Sequence, residues 1–313
     1  MLRILGPTYR YQGETIQDDI VYIDDHCYDE HSGSFPVKQL LDNNPGDYLL
    51  VFDHLGHEDQ MHSYRHVCLP VYLADETQRF RQHDIQPDWT NKTHCFNFMI
   101  NKPRLGRIKL LELIQDLNLS NFRHTLCWQS SPYSNIPVTN FKFGPEEELG
   151  RGIRNGHYTN PMVYEKLLQK QVFEPTCVSL ISEPCYIEKE IMITEKTLMS
   201  IYAGTLPIWT GGWRLPDAMR DLGFDVFDDI IDHSYSSLPD PYQRLCEALS
   251  RNMDLLQKLD YVREIVEGVQ SRLKYNLDLI RKRNVFGDLV RERIEHNPRL
   301  IQVADQWPLA LVN

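Results

Sequence analysis

The chain has 313 residues, of which 42% are hydrophobic and 25% charged, and a formal net charge of −11. A composition this ordinary, with no low-complexity run, excludes a disordered or fibrous chain, and the acidic balance argues against a general nucleic-acid binder, which normally carries a basic excess. The length is enough for two domains, each with its own core.

Asp19 to Asp24 reads as a strand, Phe35 to Leu41 as a short helix, and Tyr48 to Phe52 as a second strand that ends in Asp53. Both strands therefore deliver a carboxylate to their carboxyl end, the edge of an α/β sheet that faces a cleft. The next segment runs Asp53-His54-Leu55-Gly56-His57-Glu58-Asp59, with His62 and His66 beyond it. It supports three readings: a metal site, a cleft loop carrying a general base, or a solvated polar loop. The order His-x-x-His-Glu is not the zincin order, and no spaced third ligand stands out. Glu58 and Asp53 are the candidate bases.

Val67 to Leu73 reads as a strand, Ala74 to Asp84 as a helical stretch, and His94 to Ile100 as an alternating strand. Pro103 suits the first turn of a helix, and Leu110, Leu113, Ile114 and Leu117 give it one apolar face. Arg104 and Arg107 project from one side of that first turn, so they form a candidate anion site; exposed surface arginines are the alternative. Arg123 to Gln129 is the strand expected after it. Residues 131–160 are a polar break. Gly150-Arg151-Gly152 opens like a dinucleotide fingerprint, but no strand leads into it and no apolar helix follows, so it fails the context test. Asn160 to Gln171 reads as a helix.

The most informative stretch runs from Cys177 to Leu222. Val178 to Ile181 is a short apolar strand bounded by Glu183-Pro184. A helix follows, with Thr194 as N-cap, Leu198, Ile201 and Tyr202 on one face, and Gly204 at the left-handed position after its end. Leu206 to Trp209 is a second strand. Strand, helix, strand makes a parallel βαβ unit, and the start of its helix, at the carboxyl edge, suits a phosphate. Lys196 lies in that first turn, where the helix dipole disfavours a cation unless an anion is bound; a solvated first turn is the alternative. Leu215 to Leu222 and Val226 to Ile231 read as short helices. Tyr242 to Leu259, Tyr261 to Arg283 and Phe286 to Asn297 read as longer ones, and an apolar tail, Leu300 to Val312, follows.

Ile-Thr-Glu-Lys-Thr at 193–197, followed one helix later by Gly-Thr-Leu-Pro-Ile-Trp-Thr-Gly at 204–211, resembles the donor-binding segment of glycosyltransferase family ten, the α1,3-fucosyltransferases. Leu222 to Phe227 and Asp232 to Tyr235 are also similar to soluble phage and bacterial proteins of that kind. The resemblance covers about 60 residues, Leu180 to Asp240, with a weaker echo at Asn101 to Arg107. It implies a GDP-linked sugar donor and an arginine on the donor diphosphate.

Together these readings give an α/β fold of two Rossmann-like domains facing across a cleft, the glycosyltransferase-B arrangement. Residues 1–150 would form the acceptor side, and residues 151–313 the donor side with a helical C-terminal extension. The expected activity is inverting, metal-independent transfer of a sugar from a nucleotide diphosphate to a hydroxyl acceptor. Arg104, Arg107 and Lys196 would face the diphosphate, and Thr194 and Glu195 the rest of the donor. No two aspartates are spaced Asp-x-Asp, so no metal and no resident cofactor are expected. Glycan, lipid, protein and modified nucleic acid stay open as acceptors. A nucleotide-binding interaction protein and a metal-dependent hydrolase built on His54 to His66 are the competing classes. Seven cysteines at 27, 68, 95, 127, 177, 185 and 246 show no metal-ligand spacing and suit a reducing compartment. With no apolar leader in Met1 to Arg10 and no run of membrane-spanning length, a cytoplasmic protein is expected.

Overall fold

The computed structural model describes residues 2–5, 20–23, 43, 49–52, 66–81, 86–100, 105–126, 172–183 and 191–303. Among them, eight strands form two four-stranded sheets in which every pairing is parallel. The first sheet has the order β1 (Leu2–Leu5), β2 (Ile20–Ile23), β3 (Leu49–Phe52), β4 (His66–Cys68). Ile20 and Val21, neighbours pointing to opposite faces, are both buried, as an apolar run covered on two sides requires. The second sheet has the order β6-β5-β7-β8, built from β5 (His94–Ile100), β6 (Phe122–Leu126), β7 (Thr176–Ile181) and β8 (Leu206–Trp209).

The α/β class and the parallel β7–β8 unit agree with the sequence. The expected division at 150/151 falls inside the second sheet, because β5 pairs with β7 in register, Phe96 opposite Val178. Residues 94–126 thus belong with the later strands.

The helices are α1 (Val71–Arg81), α2 (Leu105–Asp116), α3 (Glu195–Ala203), α4 (Leu215–Asp221), α5 (Pro241–Arg251), α6 (Met253–Gln257), α7 (Leu259–Gly268), α8 (Gln270–Lys282), α9 (Val285–Glu295) and α10 (Pro298–Ile301). Four expected elements turn out differently. The strand expected over Val67 to Leu73 stops at Cys68, because Pro70 has no N–H for the ladder and suits a helix start instead; Ala74 N already donates to Pro70 O. Val226 to Ile231 is not helical. Asn276 ties down both Asp225 N (2.8 Å) and Asp225 O (2.7 Å), Asp225 Oδ1 accepts from Phe227 N, and Phe227 turns left-handed at φ 62°. The long helix expected from Tyr242 breaks at Asn252, whose amide accepts from Asp232 N and donates to Asp232 O, and the next one breaks at Val269. The expected helices Phe35 to Leu41 and Asn160 to Gln171, the 131–160 break and the tail beyond Val303 lie outside the described residues.

Two apolar clusters hold these elements. One joins Phe96, Phe98, Ile100, Val178, Leu180, Leu206 and Ile208 to Leu110, Leu111 and Ile114 of α2 and to α5, α6 and α7. The other takes the opposite face, Met99, Ile181 and Trp209, with Leu198, Met199 and Tyr202 of α3, and continues through α1, α8 and α9 to Ile20, Leu49 and Val51 of the first sheet. α2 and α3 therefore cover opposite faces of the second sheet, and β6 and β8 lie on opposite sides of the β5–β7 pair.

Candidate functional site

That arrangement fixes where a ligand can sit. The chain leaves β5 for one face and β7 for the other, so the covering elements part at their carboxyl ends. In open parallel sheets this reversal opens a crevice there, the usual ligand position. One side is the start of α2, with Gly106 and Arg107 buried. The other is the start of α3. Glu183 follows β7 by two residues on the same edge.

The start of α3 is a closed hydrogen-bond network. Thr194 is the N-cap, as expected, with extended backbone, and its Oγ1 accepts from Lys196 N at 3.5 Å, long for a capping bond. The stronger cap is Glu183, only 2% exposed. Its carboxylate accepts from Thr194 N (2.9 Å), Thr194 Oγ1 (2.5 Å) and Thr197 Oγ1 (2.7 Å). Trp209 Nε1 at the end of β8 donates to Thr197 Oγ1 at 3.1 Å and ties the network to the sheet. A carboxylate of the chain itself therefore takes the position an anion would favour at a helix N-terminus.

Lys196 is not solvated. Its side chain is 8% exposed, and its ammonium lies 3.0 Å from Glu195 Oε1 and 3.1 Å from Thr194 Oγ1. Glu195, more exposed, accepts at Oε2 from Tyr72 OH at 3.2 Å. Tyr72 stands in the first turn of α1, three residues after β4 gives way at Leu69. The helix starts that follow β4 and β7 are thus in direct contact. The solvated alternative for Lys196 is overturned by this burial, whose cause is the two acceptors that replace water around the ammonium.

The far end of α3 carries the opposite charge. Lys92, 2% exposed, donates to Ala203 O at 3.3 Å, so a buried cation faces the negative end of the helix dipole. Burial pulls its ammonium from the ordinary 10.5 down to about 8. Gly204 ends the helix at φ 60°, with Thr205 N donating to Ser200 O and Gly204 N to Ile201 O, the Schellman pattern. Both ends of α3 are therefore fixed by buried charges of complementary sign.

An open groove of about 550 Å³ is lined by Asp217, Arg220, Asp228, Asp232, His233 and Ser236. Its guanidinium is already committed: Arg220 pairs with Asp217 (2.7 Å) and Asp228 (2.8 Å). His233 is buried, which lowers its pKa, and its Nε2 lies 2.8 Å from Val226 O. These contacts hold the irregular segment after α4 together, so the sheet edge at the starts of α2 and α3 is the better candidate site.

Of the residues expected there, Thr194, Glu195 and Lys196 form one cluster, and Arg107 is buried in the first turn of α2. Arg104, Asp53 and Glu58 lie outside the described residues, as do His54, His57 and His62; His66 opens β4. Among the described residues no group of three His, Cys, Asp or Glu side chains is placed to hold a metal ion, and no helix is long and apolar enough to cross a membrane. Sequence reasoning missed Glu183. The signal was present: it is an acid just after an apolar strand, the same pattern that singled out Asp53. Comparison with protein-family models, with curated proteins and with solved structures gives no match.

Proposed function

We propose that the chain is a glycosyltransferase that moves a sugar from a nucleotide diphosphate, GDP-linked in the first instance, to a hydroxyl acceptor, without a metal and with inversion. The observation that carries this reading is the buried Lys196 ammonium at the start of α3, beside the β5–β7 reversal where open parallel sheets hold a ligand crevice. A leaving diphosphate needs positive charge in the transition state, and a fixed ammonium and guanidinium supply it in place of a metal. The segment that resembles family ten is the one that builds this corner. Since Glu183 already occupies the helix N-terminus, the diphosphate is read by side chains rather than by α3's N–H groups. Glu195, paired at rest with Lys196 and Tyr72, becomes available to donor hydroxyls when Lys196 turns to phosphate. The contact of Tyr72 with Glu195 supports a two-sided site in which the first sheet's helix closes on the donor side. The base that takes the acceptor proton comes from the stretch of sequence after β3, with Glu58 first and Asp53 second.

The test is incubation with GDP-sugars and other nucleotide sugars in EDTA, following donor hydrolysis and the melting temperature. A ligand that binds only the folded chain raises the melting temperature. Stabilisation by GDP with slow donor hydrolysis is the expected result. Stabilisation without hydrolysis or transfer reduces the protein to a nucleotide-binding module, and a strict need for Mg²⁺ or Mn²⁺ removes the metal-free mechanism.

A further inference from the structure

We propose that Glu183 is a positioning residue: it fills the anion position at the start of α3 and, through the Thr194 hydroxyl, sets where the Lys196 ammonium stands. The inference rests on reading the crevice as a nucleotide site.

A threonine hydroxyl has one proton and two lone pairs. Thr194 Oγ1 commits its proton to Glu183 Oε2 at 2.5 Å. It can then meet Lys196 only as an acceptor, and it does so at both the backbone N and Nζ. Lys196 Nζ is thereby held between Thr194 Oγ1 and Glu195 Oε1. All three donors to Glu183 belong to the first turn of α3 or its cap, so its bonds serve that turn and nothing else described. An amide at position 183 keeps one acceptor oxygen for Thr194 N and Thr197 Oγ1 but presents an N–H group to Thr194 Oγ1. To keep that contact, Thr194 would have to accept, which turns its own proton toward Lys196 and costs one of the two bonds it accepts from that residue.

Two accounts of Glu183 then predict opposite signs. A carboxylate that acts only through space weakens binding of an anion nearby, so Glu183→Gln should tighten GDP. A carboxylate that acts by placing Lys196 does the reverse.

The experiment titrates GDP in EDTA against the native chain, Glu183→Gln, Lys196→Ala and the double variant, and follows acylation of Lys196 by mass spectrometry with buried Lys92 as the internal control. The expected result is a loss of GDP affinity of about tenfold in Glu183→Gln that disappears on the Lys196→Ala background, as interacting residues require. Lys196 is acylated faster in Glu183→Gln while Lys92 is not. Unchanged or tighter GDP binding, or the same loss without Lys196, overturns the proposal. If the native chain binds no GDP, the nucleotide reading falls by itself, and the labelling arm decides this one. Equal Lys196 rates, or Lys92 rising along with Lys196, then refute a positioning role. Should Glu183→Gln not fold, Thr194→Val removes the shared hydroxyl but keeps the N–H bond to Glu183, and the same two readouts apply.

Discussion

Replacing Lys92 with methionine should stabilise the protein at neutral pH, and by an amount that depends on pH. Lys92 is 2% exposed, and among the described residues its ammonium donates to Ala203 O. Burial is the largest influence on it and favours the neutral amine; Cys177, Glu174 and Asp88 pull the other way without cancelling it. The interval from the ordinary 10.5 to about 8, at about 1.36 kcal/mol per pH unit, means that charging this group disfavours the folded state by about 3 kcal/mol. The sign follows from proton binding. Between about pH 8 and 10.5 the unfolded chain holds this proton and the folded chain does not, so native stability rises with pH across that window. Below pH 8 both states are protonated and the whole penalty is present. Methionine keeps the stem and removes the charge, at the loss of the bond to Ala203 O and of about 0.3–1 kcal/mol of helix-dipole attraction. Urea denaturation of both proteins at pH 6.5, 8 and 9.5 should show a gain of about 2 kcal/mol for Lys92→Met at pH 6.5, shrinking as pH rises. A gain that is the same at all three values, or a variant that is less stable throughout, would refute the reasoning and make Lys92 a net stabilising cap.

Gly204→Ala should cost at least about 1–2 kcal/mol from its left-handed backbone alone, and more because the new Cβ would overlap Trp89 Nε1; thermal denaturation measures it, and a change within error would show that Trp89 moves aside freely. Arg107→Met should lower GDP affinity by about 1.5–3 kcal/mol, the worth of a charge-assisted hydrogen bond, with a smaller effect at high salt. Unaltered affinity would leave Arg107 a packing residue. Glu58→Gln should leave GDP binding intact and slow transfer by about 10²–10⁴-fold; if it stays fully active and Asp53→Asn does not, Asp53 is the base.

How much of this was legible in the sequence depended on how local the cause was. The β7–α3–β8 unit could be read because its determinants are local: an apolar run, a threonine at the cap and a glycine at the left-handed end. The interruptions at Phe227 and Asn252 could not. They come from side chains that bind backbone far along the chain, Asn276 to Asp225 and Asn252 to Asp232. The same holds for the pairing of β5 with β7, which has no signature in either strand and carries residues 94–126 across the expected domain boundary. At the site, Lys196 announced itself by its unfavourable place in a helix, whereas its burial depends on Glu195 and Thr194. Glu183 looked like the punctuation of a strand, because an acid followed by proline reads as a turn until Thr194 and Thr197 are brought against it.

The central claim is that a nucleoside diphosphate binds in the crevice between the starts of α2 and α3. Hydrogen–deuterium exchange of the native chain in EDTA, with and without GDP, tests it most directly. The account predicts slower exchange with GDP in peptides that cover residues 105–110 and 191–200, and no such slowing when Lys196 is alanine. Protection confined to the groove at residues 217–237, or no change anywhere, would contradict it.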